Sequence, residues 1–121
     1  MAANILAVDD STFNLEALQL ILNIHFKVEC ETAVSGRKSL AMVDERLKST
    51  FKGHLPYKLI FMDYSMPQMN GLETAEAILK LYRNYNKKEP IICCLTAYTE
   101  DNFRVNALKA GMKYFVTKPA D

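Results

Sequence analysis

Four polar positions stand immediately beyond short apolar runs. Asp9-Asp10 follow Ile5-Leu6-Ala7-Val8, Asp63 follows Leu59-Ile60-Phe61-Met62, Thr96 follows Ile91 to Leu95, and Lys118 lies just past Tyr114-Phe115-Val116. Parallel strands made from these runs would bring all four ends to one rim. Three carboxylates gathered there repel, each close pair by roughly 4 kcal/mol at an effective dielectric of about 20. A divalent cation resolves that repulsion, and an all-oxygen donor set favours Mg²⁺ or a similar hard ion. Taken alone, Asp9-Asp10 reads as the cap of a helix and Asp63 as a turn residue. The joint placement at one rim is what points to chemistry.

The elements that must position these residues alternate along the chain. Ser11 opens a helical stretch with Leu15, Leu18 and Leu22 inward. Val28, Cys30 and Thr32 alternate with Lys27, Glu29 and Glu31 as a half-exposed strand. Ser35 caps a helix carrying Leu40, Val43 and Leu47, and Ser49 to Pro56 is loop. A turn from Ser65 to Gly71 leads into a helix with Leu72, Ala75, Ile78, Leu79 and Tyr82 inward. A further helix over 100–110 stops at Gly111. Five strands alternating with four helices imply crossovers and a parallel sheet. Strands one, three and four are apolar throughout, as strands covered on both faces must be. The second carries charges and the fifth is short and flanked by lysines, so they suit the edges. The resulting order 2-1-3-4-5 has its switch point between strands one and three, where ligands bind in open sheets.

Composition narrows the classes. The chain has 121 residues, half of them apolar, with 15 Lys and Arg against 14 Asp and Glu for a net charge of +1. That is one soluble domain, residues 1–121, with neither the basic excess of a nucleic-acid module nor an apolar run of the ~20 residues that span a bilayer. Neither nucleic acid nor membrane contact is expected. Cys30, Cys93 and Cys94 lack the spacing of a zinc or redox motif and read as small buried thiols in a reducing, cytoplasmic setting. His25 and His54 lie far apart and read as surface residues. No Gly-rich phosphate loop is present.

The chain resembles the receiver domains of response regulators in two-component phosphorelays. The resemblance rests on Ile5-Leu6-Ala7-Val8-Asp9-Asp10, on Phe61-Met62-Asp63-Tyr64-Ser65-Met66-Pro67-Gln68-Met69-Asn70-Gly71, on Leu95-Thr96-Ala97, and on Gly111 with Tyr114-Phe115-Val116-Thr117-Lys118-Pro119. These segments run in the family's order over nearly the whole chain. The resemblance implies a flavodoxin-like, doubly wound α/β fold. It implies that Asp63 accepts a phosphoryl group from a phosphohistidine on a histidine kinase or a histidine phosphotransfer protein. Asp10, Asp9, Asp63 and the main-chain carbonyl of Ser65 would hold Mg²⁺. Thr96 and Lys118 would engage the new phosphoryl group, and Tyr114 would be the aromatic that changes rotamer when Thr96 moves. Lys118-Pro119 resembles the family's cis junction. Tyr98 and Ser65, beside the small Ala97, are expected to flank an attacking water and so to tune the lifetime of the phosphoryl group.

Two departures stand out. The stretch from Ser49 to Tyr57 is longer than receivers need and reads as a surface excursion. The fifth helix of the family is missing before Asp121, which is expected to leave part of the apolar face of strands three to five bare and to suit either a trimmed piece of a hybrid sensor kinase or a dimer. Whether the chain counts as an enzyme stays open, because a receiver assists its own phosphorylation and dephosphorylation but no kinase domain is present. Three other readings rank lower. A receiver-shaped module that only binds would have lost the acceptor, an acid or the lysine. An aspartyl-phosphate phosphatase would want an aspartate at position 65. A flavin module would want Ser, Thr and Gly where Asp9-Asp10-Ser11-Thr12-Phe13 stand.

Overall fold

Five parallel strands make one sheet in the order β2-β1-β3-β4-β5. The strands are β1 (Ile5–Val8), β2 (Cys30–Ala33), β3 (Leu59–Asp63), β4 (Ile91–Thr96) and β5 (Tyr114–Thr117), and the helices between them are α1 (Thr12–Phe26), α2 (Gly36–Lys48), α3 (Gly71–Asn84) and α4 (Asp101–Lys109). The computed structural model describes residues 4–50, 53, 55–64, 66, 68–96 and 101–117, with backbone alone at 101–103 and 117. The strand order and the alternation are those the apolar runs predict.

The helices begin and end where capping chemistry directs. Ser11 and Ser35 each accept a hydrogen bond from the backbone N–H three residues on, opening α1 and α2. Asn70 and Glu73 form a reciprocal capping box at α3. At the far end of α1, Lys27 turns left-handed with φ 55°, and its N–H and that of Val28 return to the last carbonyls of the helix. That turn consumes residues 27 to 29. The second strand therefore starts at Cys30, not at Val28 as the charge alternation suggests, and Val28 is exposed.

Side chains alternate across the sheet and feed two cores. Leu6, Val8, Ile60, Met62, Ile92 and Cys94 are almost wholly buried beneath α2, α3 and α4, with Val43, Leu47, Ala75, Ile78, Tyr82 and Ala107 packed on them. Among the described residues the opposite face meets α1 alone. There Ala7 and Cys30 pack with Leu15 and Leu22, and Ile5, Leu18 and Phe61 are half-buried. One helix cannot cover five strands. Ile91, Tyr114 and Val116 on that face are 44%, 57% and 50% exposed. Strands three and four are thus not buried on both faces along their length, and the bare apolar face anticipated from the sequence is present among the described residues. Four helices, with no fifth, occur among them.

The stretch before β3 differs from a plain surface excursion. Tyr57 is 2% exposed, and its hydroxyl donates to Glu31 Oε1. Arg46 of α2 stacks 4.2 Å from the Tyr57 ring centroid, pairs with Glu31 Oε2 at 2.7 Å and donates to the Leu55 carbonyl at 2.9 Å. Tyr82 of α3 donates to the Tyr57 carbonyl at 2.8 Å. A guanidinium, two phenols and a carboxylate thus fasten β2, α2, α3 and the entry to β3 at the end of the sheet away from Asp9, Asp63 and Thr96. Cys30, Cys93 and Cys94 are buried thiols, as expected, and His25 is exposed. Among the described residues no helix is long and apolar enough to cross a membrane.

Candidate functional site

The register of β1 against β3 pairs Val8 with Met62, so the next residue of each strand, Asp9 and Asp63, stand side by side at the carboxyl end of the sheet. Asp9 and Asp63 are both buried, each only 3% exposed, and Asp10 beside them is exposed. One carboxylate oxygen from each of Asp9, Asp10 and Asp63 lies within 4.8 Å of the other two. At such separations full charges repel by roughly 3 kcal/mol per pair at an effective dielectric of about 20. Three carboxylates converging this closely, two of them shielded from water, form a site that a hard, oxygen-seeking cation can occupy. The sequence expectation that these three acids meet is correct.

Each acid is held by its own strand or turn. The Asp9 backbone N–H donates to the Ala33 carbonyl at 3.1 Å, continuing the β1–β2 ladder past the strand end. Its Oδ1 accepts from the Ser11 backbone N–H at 2.9 Å, and its Oδ2 accepts from Asn14 Nδ2 at 3.3 Å. Asp63 closes β3, and the next residue, Tyr64, donates its N–H to the Leu95 carbonyl of β4 at 3.1 Å. The Tyr64 carbonyl then accepts from the Gly71 N–H at 2.9 Å, tying the end of β3 to the first turn of α3. A Cβ placed on Gly71 would lie 2.5 Å from the Asp63 carbonyl oxygen and 2.9 Å from Tyr64 Cα. Only glycine allows that approach. Sequence reasoning named Gly71 as part of a motif without this consequence, and it passed over Asn14 altogether. The available signal for Asn14 was an amide at the third helical position, where a capping box would want Glu or Gln.

Thr96 ends β4 and is 4% exposed. The pairing of Cys94 with Phe115 and of Thr96 with Thr117 puts Thr96 and Phe115 on the same face of the sheet. Tyr114 pairs with Cys93 and projects from the other face, where it is 57% exposed. Tyr114, expected to follow Thr96, is thus not on the Thr96 face. Strand alternation places Phe115 there, half-buried against the core beneath α4, with the Arg104 guanidinium 5.9 Å from its ring centroid. Lys118, Pro119, Ser65, Ala97, Tyr98 and His54 lie outside the described residues.

The sequence profile of the response regulator receiver domain matches residues 5–121. The osmosensing histidine protein kinase SLN1 of Saccharomyces cerevisiae is 33% identical over 118 residues, which is 98% of this chain and 9% of that protein. Probable histidine kinase 2 of Oryza sativa is 32% identical over 123 residues, 98% of this chain and 12% of that protein. The chain thus spans about a tenth of the length of these curated relatives. Among solved structures, the receiver domain of the Arabidopsis thaliana histidine kinase CKI1 complexed with Mg²⁺ superposes with a TM-score of 0.84 at 28% identity, covering 93% of this chain and 81% of that one. The receiver domain of Ssk1, in co-crystals with the histidine phosphotransfer protein Ypd1 of Saccharomyces cerevisiae, gives a TM-score of 0.78 at 27% identity, covering 98% of this chain and 80% of that one.

Proposed function

The chain belongs to the response regulator receiver domain family, and on that premise we propose that Asp63 accepts a phosphoryl group from a phosphohistidine on a histidine kinase or histidine phosphotransfer protein. The observation that carries this reading is the meeting of Asp9, Asp10 and Asp63 within 4.8 Å around a buried strand-end carboxylate. The donor set fits Mg²⁺, because all three ligand atoms are carboxylate oxygens. Asp10 and Asp63 would hold the ion, and Asp9 and the Ser65 main-chain carbonyl would complete the set. When bound, the ion neutralises charge between the acceptor and the incoming phosphoryl oxygens.

The chain's own groups do the rest. An ionised Asp63 oxygen forms the new O–P bond as the N–P bond of the donor breaks, and the imidazole nitrogen leaves with the bonding electron pair and takes up a proton. The transfer asks for positioning and charge neutralisation more than for bond chemistry. β3 and the Gly71 contact supply the position. Thr96, one strand away, hydrogen-bonds a phosphoryl oxygen, and Lys118 pairs with another. Contacts to the phosphoryl oxygens exist only in the phosphorylated state, and that differential contact biases a two-state equilibrium. Phe115, on the Thr96 face, takes the aromatic role in the switch. The bulk of Tyr98 would slow hydrolysis of the phosphoryl group. The apolar face of β3, β4 and β5 left bare by the described residues is a surface that a further helix or a second copy of the chain would cover.

The test is incubation with acetyl phosphate, with and without Mg²⁺, followed by intact mass spectrometry. A single labile phosphoryl adduct that needs Mg²⁺ and is lost in Asp63→Asn supports the reading. An adduct that survives Asp63→Asn, or none in the unaltered protein, refutes it and leaves a receiver-shaped binding module.

A further inference from the structure

Asn14 lies one helical turn beyond the acid pair, at the third position of α1 counted from its Ser11 cap. In a capping box the side chain at that position is Glu or Gln, and it reaches back to the backbone N–H of the cap residue. α3 of this protein does so: Glu73 Oε1 accepts from the Asn70 N–H while the Asn70 side chain accepts from the Glu73 N–H. α1 is wired differently. The cap residue's own N–H, from Ser11, is taken at 2.9 Å by Asp9 Oδ1. Asn14 is thereby released from capping with its side chain, and its amide Nδ2 donates at 3.3 Å to Asp9 Oδ2. Each oxygen of a carboxylate that is 3% exposed is thus gripped by one donor from the first turn of α1.

The consequence is orientational. A carboxylate held at one oxygen can still swing about its Cβ–Cγ bond. Held at both, it is fixed in plane, and its remaining lone pairs point in a set direction. Asp9 is one of the three acids whose oxygens converge within 4.8 Å. We propose that Asn14 is a positioning residue of the metal site: its amide locks the plane of the Asp9 carboxylate and so presets the acid cluster for a divalent cation. The proposal rests on the reading of that cluster as a Mg²⁺ site. Outer hydrogen bonds to ligating groups are worth roughly 10–100-fold in metal affinity elsewhere, and this bond, at 3.3 Å and to the acid that helps rather than leads, belongs near the lower end.

The plain alternative is that Asn14 only steadies the start of α1. The two roles separate in a measurement that is not activity. Mg²⁺ is titrated into the protein by isothermal calorimetry, with Mn²⁺ followed by electron paramagnetic resonance as a second probe. Asn14→Leu keeps the size and removes the amide. Asn14→Ala, which the helix tolerates well, serves if the first variant folds poorly. Ser35→Ala removes a cap from a different helix, α2, where the Ser35 hydroxyl accepts from the Lys38 N–H, and reports what loss of helix support alone does. The expected result is a dissociation constant raised about tenfold in both Asn14 variants and unchanged in Ser35→Ala, with the Asn14 side-chain amide resonances of the unaltered protein shifting as Mg²⁺ is added. Asn14 variants that bind Mg²⁺ within twofold of the unaltered protein overturn the proposal while leaving the site reading intact. An unaltered protein that binds no Mg²⁺ overturns both.

Discussion

Gly71→Ala tests whether the acceptor strand is placed by the helix that follows it. The added methyl would stand 2.5 Å from the Asp63 carbonyl oxygen, whereas carbon–oxygen contacts settle near 3.3 Å even when attractive, so the strand end must retreat by roughly 0.8 Å. It cannot do so freely. Asp63 is paired in register with Leu95, and the neighbouring Tyr64 is bonded both to the Leu95 carbonyl and to Gly71 itself. Overpacking of this kind costs about 1–3 kcal/mol. Alanine's better helix propensity returns a part of at most ~1 kcal/mol. The net loss, about 1–2 kcal/mol, lowers the melting temperature by roughly 4 °C per kcal/mol in a chain of this length. The functional loss is larger in proportion. Displacing a reacting group by ~1 Å can cost as much as about 100-fold in rate, so labelling by acetyl phosphate under conditions where the variant is fully folded falls by about tenfold or more. Melting followed by circular dichroism and labelling followed by intact mass give the two readings on one preparation. A Gly71→Ala protein that melts and labels like the unaltered one would show that the strand end has room and that the α3 contact does not place Asp63.

Substitution at the aromatic pair should separate the two faces of β5: Phe115→Ala perturbs the spectral change that accompanies phosphorylation, while Tyr114→Ala leaves it intact, as followed by nuclear magnetic resonance of the Thr96 region. Arg46→Met removes a buried guanidinium bonded to Glu31 and Leu55 and stacked on Tyr57; with Glu31 partly solvated, the expected loss is about 2 kcal/mol of stability by urea denaturation, with acetyl phosphate labelling unchanged because the cluster sits at the other end of the sheet. Stability should also fall at alkaline pH. Burial pushes the Cys30 thiol up to about 11, and moves Cys93, Tyr57 and Tyr82 in the same direction, the last two against the opposing pull of Arg46. The unfolded chain releases these protons at lower pH than the folded one does. Their contribution is therefore whole below about pH 9, the ordinary thiol value, and drains away as pH climbs toward 11. A urea midpoint that stays level from pH 8 to 11 would contradict this.

The parts of the fold that could be read from the sequence are those set by local pattern. Apolar runs ending in Asp10, Asp63 and Thr96 marked the strands and their rim, and the charges of Glu29 and Glu31 marked β2 as an edge. Capping serines at 11 and 35 set the starts of α1 and α2. What escaped depended on pairing between segments. The side on which Tyr114 and Phe115 point follows from the register with Cys93 and Cys94, and a tyrosine drew attention that the register gives to its neighbour. Arg46 reads as one more charge on a helix, and only the fold brings Glu31, from 15 positions earlier, to 2.7 Å from it. Tyr57 likewise belongs to a polar-looking loop until Tyr82 and Arg46 close over it. The Val28 error came from reading alternation without allowing for residues that a helix needs to end.

The two ends of the sheet carry opposite electrostatic designs, and the contrast bears on the switch proposed above. At the base, Arg46, Glu31, Tyr57 and Tyr82 satisfy one another, and their bonds run between four elements. At the rim, Asp9, Asp10 and Asp63 share a sign, and their repulsion opposes the folded state. A cluster that destabilises the fold in isolation is one whose energy a ligand can change most. A cation or a transferred phosphoryl group alters the balance at the rim by several pairwise interactions at once, while the base, already paired, stays as it was. On the proposed function, the rim could shift between arrangements without loosening the sheet, because the residues that hold β2, β3, α2 and α3 together do not include Asp9, Asp10 or Asp63.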